Sequence, residues 1–378
     1  MKELLYRFIK DSIVFESIPP FSDNTRAVYD EMVRRGYDKK YMLVWYIDDE
    51  TCATLKDGVP EYWNPVKRKT LKEKIRNYSY FLKTKCIICC NKFLPSSGYK
   101  SITEGEGQLS FYLSHGSPMK SVKEYYKAPE EIDYALAPAE CMVEIMADDF
   151  SIDPKKFFVA GFPRNDVLTK PPIDLRKVLE VRHSNIIIWY PTYRQNDTGT
   201  VITTKNALPI LHDEEKAVAL NNAAKENDVL IILKPHFRQD TSRIKDLHLS
   251  NILFIDDSLF SQKGFSSYEM LAASDALITD YSSVYFDYTL VDKPIGVIWE
   301  DIDEYREYPG FALDLDFYLK GAEKIYTIDE LCAFVKDVAA GVDNLQTERR
   351  EIRDLVNNST DGKNSERVVD FIAEKAKL

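Results

Sequence analysis

A chain of 378 residues, 44% hydrophobic and 29% charged, is long enough for two domains with separate cores and too apolar to be disordered. The formal net charge of −11 argues against a nucleic-acid binder, whose main affinity term is neutralisation of phosphates by Lys and Arg. No secretory pattern and no run of about 20 apolar residues occurs, so the expectation is a cytoplasmic protein with at most peripheral membrane contact.

In chain order, residues 12–15 read as a strand, 25–35 as a helix, 42–47 as a strand and 70–83 as a helix. Strands follow at 86–90, 109–114 and 157–160. The six cysteines are Cys52, Cys86, Cys89, Cys90, Cys141 and Cys332. Cys86 and Cys89 have a C-x-x-C spacing, but they sit in an apolar strand-like run with no second pair, which reads as buried thiols rather than a zinc site. The paired Pro171 and Pro172 mark the join, giving a first domain over 1–172 and a second over 173–355.

In the second half, strands are predicted at 186–190, 229–233, 252–255, 276–279 and 295–299. Helices are predicted at 214–226, 268–273 and 283–290, and beyond Thr327 a long helical pattern runs through 335–342 and again through 365–377. A closing segment over 356–378 is expected to pack back on the first domain. Alternation of this kind predicts two parallel, doubly wound α/β sheets. Ligands of such sheets bind beyond the carboxyl ends of the strands, so the polar residues there are the candidates.

Five strand ends carry such residues. After strand 109–114 comes His115, then Gly116, Ser117 and Pro118. An imidazole at a strand end suits proton removal near neutral pH; the plainer reading is a turn histidine bonded to backbone. After strand 229–233 come Lys234, Pro235, His236 and Arg238, a cluster able to neutralise a diphosphate or simply a solvated basic loop. Strand 276–279 ends in Thr279 and Asp280, followed by Tyr281, Ser282, Ser283 and, further on, Asp287. The serines sit where a helix must begin, a natural anion site or an ordinary cap, and Asp280 is expected to hold the loop or a donor hydroxyl. Arg164 and Asn165 lie in the turn 161–166, and Thr192, Tyr193 and Arg194 follow strand 186–190. Each of these two segments reads equally well as a ligand contact or as a structural turn.

His183, His212 and His248 lie in polar, loop-like stretches and read as surface residues. No P-loop, zinc-protease helix, G-x-G-x-x-G or G-x-S-x-G pattern occurs. A basic aromatic stretch, from Trp63 through Lys67, Arg68, Lys69, Lys72, Lys74 and Arg76 to Lys83, reads as a solvated helix face or a contact with anionic headgroups.

Taken together and in order, these motifs resemble the CDP-glycerol glycerophosphotransferase family of teichoic-acid synthesis. Ser22-Asp23-Asn24-Thr25-Arg26 is similar to its S-D-N-x-R segment, and Ser114-His115-Gly116-Ser117-Pro118 to its W-H-G-T-P motif. Residues 161–166 resemble G-Y-P-R-N-D, residues 191–194 match P-T-Y-R, and residues 234–236 match K-P-H. Residues 274–283 are close to S-D-x-L-I-T-D-Y-S-S, the most specific of the set, and Asp303 to Arg306 and Gly310-Phe311 also fall in place.

The resemblance implies a GT-B-like fold of two Rossmann-type domains with the active site in the cleft between them. It implies metal-independent transfer of a polyol phosphate from CDP-glycerol or a related CDP-alcohol, with no cofactor. The acceptor would be a polyprenyl-diphosphate-linked saccharide or polymer at the anionic inner face of the cell membrane. His115 carries the base role, His236 a catalytic diphosphate contact, and Ser282 and Ser283 further phosphate contacts. Ser114 and Ser117 depart from the family's Trp and Thr, which leaves the acceptor open. The expectation is a chain without the extra amino-terminal domain of long polymerases, so a short primase or single-unit transferase stands beside a polymerase. A GT-B glycosyltransferase using a nucleotide sugar and a non-catalytic assembly scaffold are the alternatives.

Overall fold

The computed structural model describes residues 11–47, 62–63, 84–90, 109–124, 132–192, 208–235 and 241–378. The chain divides into two compact units. The first comprises Met1–Ser117, Lys127–Asp166 and Asp361–Leu378; the second comprises Pro118–Tyr126 and Val167–Thr360.

Among the described residues, the first unit holds a seven-stranded sheet. Its strands are β1 Ser12–Glu16, β2 Met42–Tyr46, β3 Tyr62–Trp63, β4 Thr84–Cys89, β5 Leu109–Tyr112, β6 Tyr134–Ala137 and β7 Phe157–Val159. Their order is β3-β2-β1-β4-β5-β6-β7, and every pairing is parallel. The apolar runs are buried because helices cover a parallel sheet on both faces. Val14 pairs with Val44 on one side and Ile87 on the other, and all three are buried. The Asp23–Arg34 helix packs Tyr29 against Phe15 and Trp45, at ring distances of 5.2 and 5.5 Å. Cys86, Cys89 and Cys90 are fully buried, as the strand reading expected.

The closing helix, Asn364–Ala376, belongs to this first unit. Phe371 stacks on Phe158 with ring centres 4.0 Å apart. Asp166 accepts the N–H groups of Asn364 and Ser365, both at 2.8 Å, and so satisfies two donors that a helix start leaves open. Gly161, at φ +78°, lies so close that a Cβ there would overlap the Asn364 carboxamide.

Among the described residues, the second unit holds six strands: β8 Asn185–Trp189, β9 Val229–Leu233, β10 Ile252–Phe254, β11 Ala276–Thr279, β12 Ile295–Ile298 and β13 Glu323–Ile325. Their order is β10-β9-β8-β11-β12-β13, again all parallel. Counted within each unit, both sheets follow the doubly wound order 3-2-1-4-5-6, the first with one strand added. Ile187, Ile231, Ile278 and Ile298 form its core with Leu220 of the Glu214–Glu226 helix and Phe334 of the Ile328–Ala339 helix.

Some elements depart from the sequence reading. The fifth strand stops at Tyr112 rather than residue 114, because Ser114 turns to φ +55°. The helical pattern expected beyond Thr327 is the helix Ile328–Ala339, opened by a reciprocal capping box of Thr327 and Glu330, and it stops short of the expected residue 342. Strands β6 and β13, at four and three residues, are too short to show a period, and the strongly charged Gln346–Val356 helix has no apolar run to announce it. The helix expected at 70–83 lies outside the described residues, as does most of the basic aromatic stretch.

Candidate active site

In the first unit, the strand β5 leads into Leu113 and then into a loop of unusual backbone. Ser114 has φ +55° and Gly116 φ +138°. Ser114, Gly116 and Ser117 are buried, and His115 between them is exposed. The chain therefore turns its one titratable side chain outward while the flanking residues are packed.

Side chains hold this loop in place. Asn24, in the first turn of the Asp23–Arg34 helix, donates from Nδ2 to Ser114 O at 2.9 Å and Leu113 O at 3.3 Å. Arg164 Nη1 donates to His115 O at 2.6 Å and to Asp23 Oδ1 at 2.8 Å. The Ser114 hydroxyl donates to Gly116 O at 3.0 Å. Thus the His115–Gly116 loop and Arg164, which the sequence suggested at two separate strand ends, belong to one cluster. Asn165, next to Arg164, is buried. Sequence reading noted Asp23 and Asn24 only as part of a motif and gave them no role. Their one local signal is their position at a helix start; their partners are 89 to 141 residues away.

In the second unit, the strand order reverses between β8 and β11, and Asp280 sits at that point. It is fully buried at the end of β11. Its carboxylate accepts the Thr192 N–H at 3.0 and 2.9 Å and the Thr192 hydroxyl as well. Thr279 donates its hydroxyl to Tyr190 O at 2.9 Å. These bonds stitch the loop after β8 to the end of β11.

Several expected ligand contacts lie inside this framework rather than on a surface. Tyr281 is buried and donates to Asp301 Oδ1 at 3.0 Å, with Tyr305 against its ring at 4.4 Å. Asp287 is buried and accepts from the Tyr268 hydroxyl at 2.6 Å. Thr279 is buried as well. The helix after Ser283 is only the five residues Val284–Tyr288, and neither serine caps it firmly: Ser282 Oγ is 3.5 Å from Val284 N, and Ser283 makes no cap bond. Both serines are part-exposed.

Lys234, beyond β9, places Nζ 3.0 Å from Asp257 Oδ1 and about equally near the rings of Tyr190 and Phe260, at 5.9 and 6.0 Å. Burial, with Asp257 nearby, pushes the Tyr190 phenol well above its usual pKa. Tyr193, Arg194, His236 and Arg238 lie outside the described residues. His212 is not the plain surface residue that its polar neighbours suggest. It is half-buried, with Nε2 2.5 Å from Glu300 Oε1, and Glu300 also accepts the Ile210 N–H at 2.7 Å.

In the second unit, the segment just after the histidine loop is pinned by main-chain bonds. Ser121 N–H donates to Gly310 O at 3.0 Å, and Ala312 N–H to Met119 O at 3.0 Å. Gly310 adopts φ +80°, which favours glycine.

Two parallel doubly wound sheets, with polar residues gathered at the carboxyl ends of their strands, define a GT-B-like α/β protein. A solved structure of the wall teichoic acid polymerase TagF has this fold, with a TM-score of 0.73 and 23% identity over 100% of this chain and 93% of that one. The chain belongs to the CDP-Glycerol:Poly(glycerophosphate) glycerophosphotransferase family, whose model matches residues 2–374. It is 26% identical to a teichoic acid ribitol-phosphate primase of Bacillus spizizenii over 64% of its own length and 59% of that protein's. It is 27% identical to a teichoic acid poly(glycerol phosphate) polymerase of Staphylococcus epidermidis over 84% of its own length and 44% of that protein's. It therefore spans about half the length of these two curated relatives. No helix among the described residues is long and apolar enough to cross a membrane.

Proposed function

We propose that the chain transfers a polyol phosphate, most directly glycerol phosphate, from a CDP-alcohol to a hydroxyl of a lipid-linked teichoic-acid-like or capsular polymer and releases CMP. The observation that carries this reading is His115 in a chain of this family: an exposed imidazole on a loop whose neighbours are buried and whose backbone is fixed.

His115 takes the proton of the acceptor hydroxyl. The oxygen attacks the β-phosphorus, its bond to the CMP oxygen breaks, and CMP leaves with the bonding pair. Lys234, His236 and Arg238 hold the diphosphate, with Ser282 and Ser283 as further donors. Lys234 exchanges Asp257 for a phosphate oxygen when donor binds. The work is positioning and charge stabilisation, as in other phosphoryl transfers. Thr192 and Asp280 shape the loop beside the donor, and Tyr193 and Arg194 supply contacts to it. The acceptor is polyprenyl-linked, so the reaction runs at the inner face of the cell membrane with the protein peripherally bound to its anionic surface.

The test is a donor panel of CDP-glycerol, CDP-ribitol and common UDP-sugars, with calorimetric binding and CMP release on a lipid-linked acceptor analogue. Binding and CMP release with one CDP-alcohol are expected. His115→Ala keeps donor binding and lowers turnover by ~10²–10⁴-fold. Binding to no CDP-alcohol, or selective turnover of a UDP-sugar, overturns the proposed chemistry; near-normal turnover of His115→Ala overturns the base assignment.

A further inference from the structure

Four consecutive backbone carbonyls, those of Leu113, Ser114, His115 and Gly116, each receive a side-chain donor. Asn24 serves the first two at 3.3 and 2.9 Å, Arg164 the third at 2.6 Å and Ser114 the fourth at 3.0 Å. A turn that only joined two elements would leave most of these oxygens to water. The loop also carries a strained residue, since Ser114 sits at φ +55°, where its Cβ crowds the following carbonyl oxygen. Such a conformation persists only where its surroundings over-determine it.

The donors are fixed in turn. Asn24 Oδ1 accepts the Arg164 N–H at 3.1 Å, which leaves the Asn24 amide one orientation. Arg164 pairs with Asp23 Oδ1 at 2.8 Å, with only 9% and 15% of their side chains exposed. The same Asp23 oxygen accepts the Asn24 N–H at 2.7 Å. The Arg164 charge is thus offset by a carboxylate, and its Nη1 is committed to the His115 carbonyl.

The geometry points to Asp23, Asn24 and Arg164 as positioning residues that set the direction of the His115 imidazole, with Arg164 acting on the histidine loop and not on a donor phosphate. This rests on reading His115 as the base. Asn24 fixes the two peptides before His115, and Arg164 fixes the one that follows it. With the backbone held on both sides, the side chain leaves the loop along one direction.

The test uses the full chain with Asn24→Ala and Arg164→Lys. Misplacement by about 1 Å costs on the order of 10²-fold, so kcat for CMP release should fall by about 10–100-fold. KM and Kd for CDP-glycerol should stay within about three-fold of the parent, because binding shared by ground and transition states is untouched. Asp23→Asn keeps an oxygen for the Asn24 N–H but removes the partner charge of Arg164, and gives an intermediate loss. In carbon–proton spectra of histidine-labelled protein, assigned with His115→Ala, the His115 signal should shift or broaden in both main variants while the other four histidines hold.

Near-normal kcat in folded Asn24→Ala overturns the proposal. So does a loss in Arg164→Lys that falls on KM and donor affinity, which would make Arg164 a phosphate ligand. If Asn24→Ala does not fold, Arg164→Lys decides alone. A parent protein that releases no CMP from any CDP-alcohol defeats the reading of His115 as base, whereas an unmoved His115 signal in the variants defeats the positioning alone.

Discussion

Replacing Asp280 separates a structural role from a ligand role. Asp280 is fully buried, and Thr192 is 8% exposed. Asp280→Ala removes a charged acceptor and leaves the Thr192 N–H and hydroxyl buried without it. Hydrogen bonds to charged groups contribute about 1.5–3 kcal/mol each. The expected loss is about 3–5 kcal/mol. At roughly 2–4 °C per kcal/mol for a unit of this size, the melting temperature falls by on the order of 10 °C. Asp280→Asn keeps one oxygen for the Thr192 N–H and should lose about 1–2 kcal/mol. The assay is thermal unfolding by circular dichroism, with calorimetric titration of CDP-glycerol into the Asn variant. Donor affinity of Asp280→Asn within about three-fold of the parent is expected, since uniform binding is then intact. An Ala variant that melts with the parent, or an Asn variant that keeps its melting point and loses the donor, refutes the reasoning and makes Asp280 a ligand contact.

Asp166→Ala removes both 2.8 Å bonds at the start of the closing helix and should cost about 2–4 kcal/mol, with faster amide exchange across residues 364–376. Unchanged exchange there would show that Asp166 does not anchor the helix. Glu31 is held below the usual carboxylate range, first by its bond to Arg34, against the effect of burial and with help from Arg35. Its folded pKa is the lower one, so its contribution is complete above the unfolded value of about 4.3 and is lost as pH falls through the folded value. Glu31→Gln should therefore be less stable than the parent at pH 7, in urea titrations, and the gap should close toward pH 3; a gap independent of pH contradicts this. Cys86, Cys89 and Cys90 are buried, and burial pushes all three thiols up. They should escape alkylation in the native protein at pH 8 and react after denaturation, as mapped by mass spectrometry; native labelling of any of them would contradict their burial.

The sequence by itself determined the alternation of apolar runs and helices, and with it two parallel sheets. It also determined where polar residues leave each strand, because a strand end is a local event: apolar residues stop, and Gly, Pro, Ser or Asp begin. His115, Lys234 and Asp280 were legible for that reason. The order of the strands was not, since the apolar run at 186–190 looks the same at the centre of a sheet as near its edge.

Only the tertiary structure decided what each polar residue does. Asp280 and Thr192 form one buried bonded pair across 88 residues of sequence, and Tyr281 turned inward to Asp301. Arg164 reached back 49 residues to a carbonyl and 141 to a carboxylate. Asn24, an ordinary first-turn residue by sequence, bonded a loop 90 residues away. A motif records which side chains are present, whereas a hydrogen bond needs its partner within about 3 Å, and for residues this far apart only the folding of the sheet sets that distance.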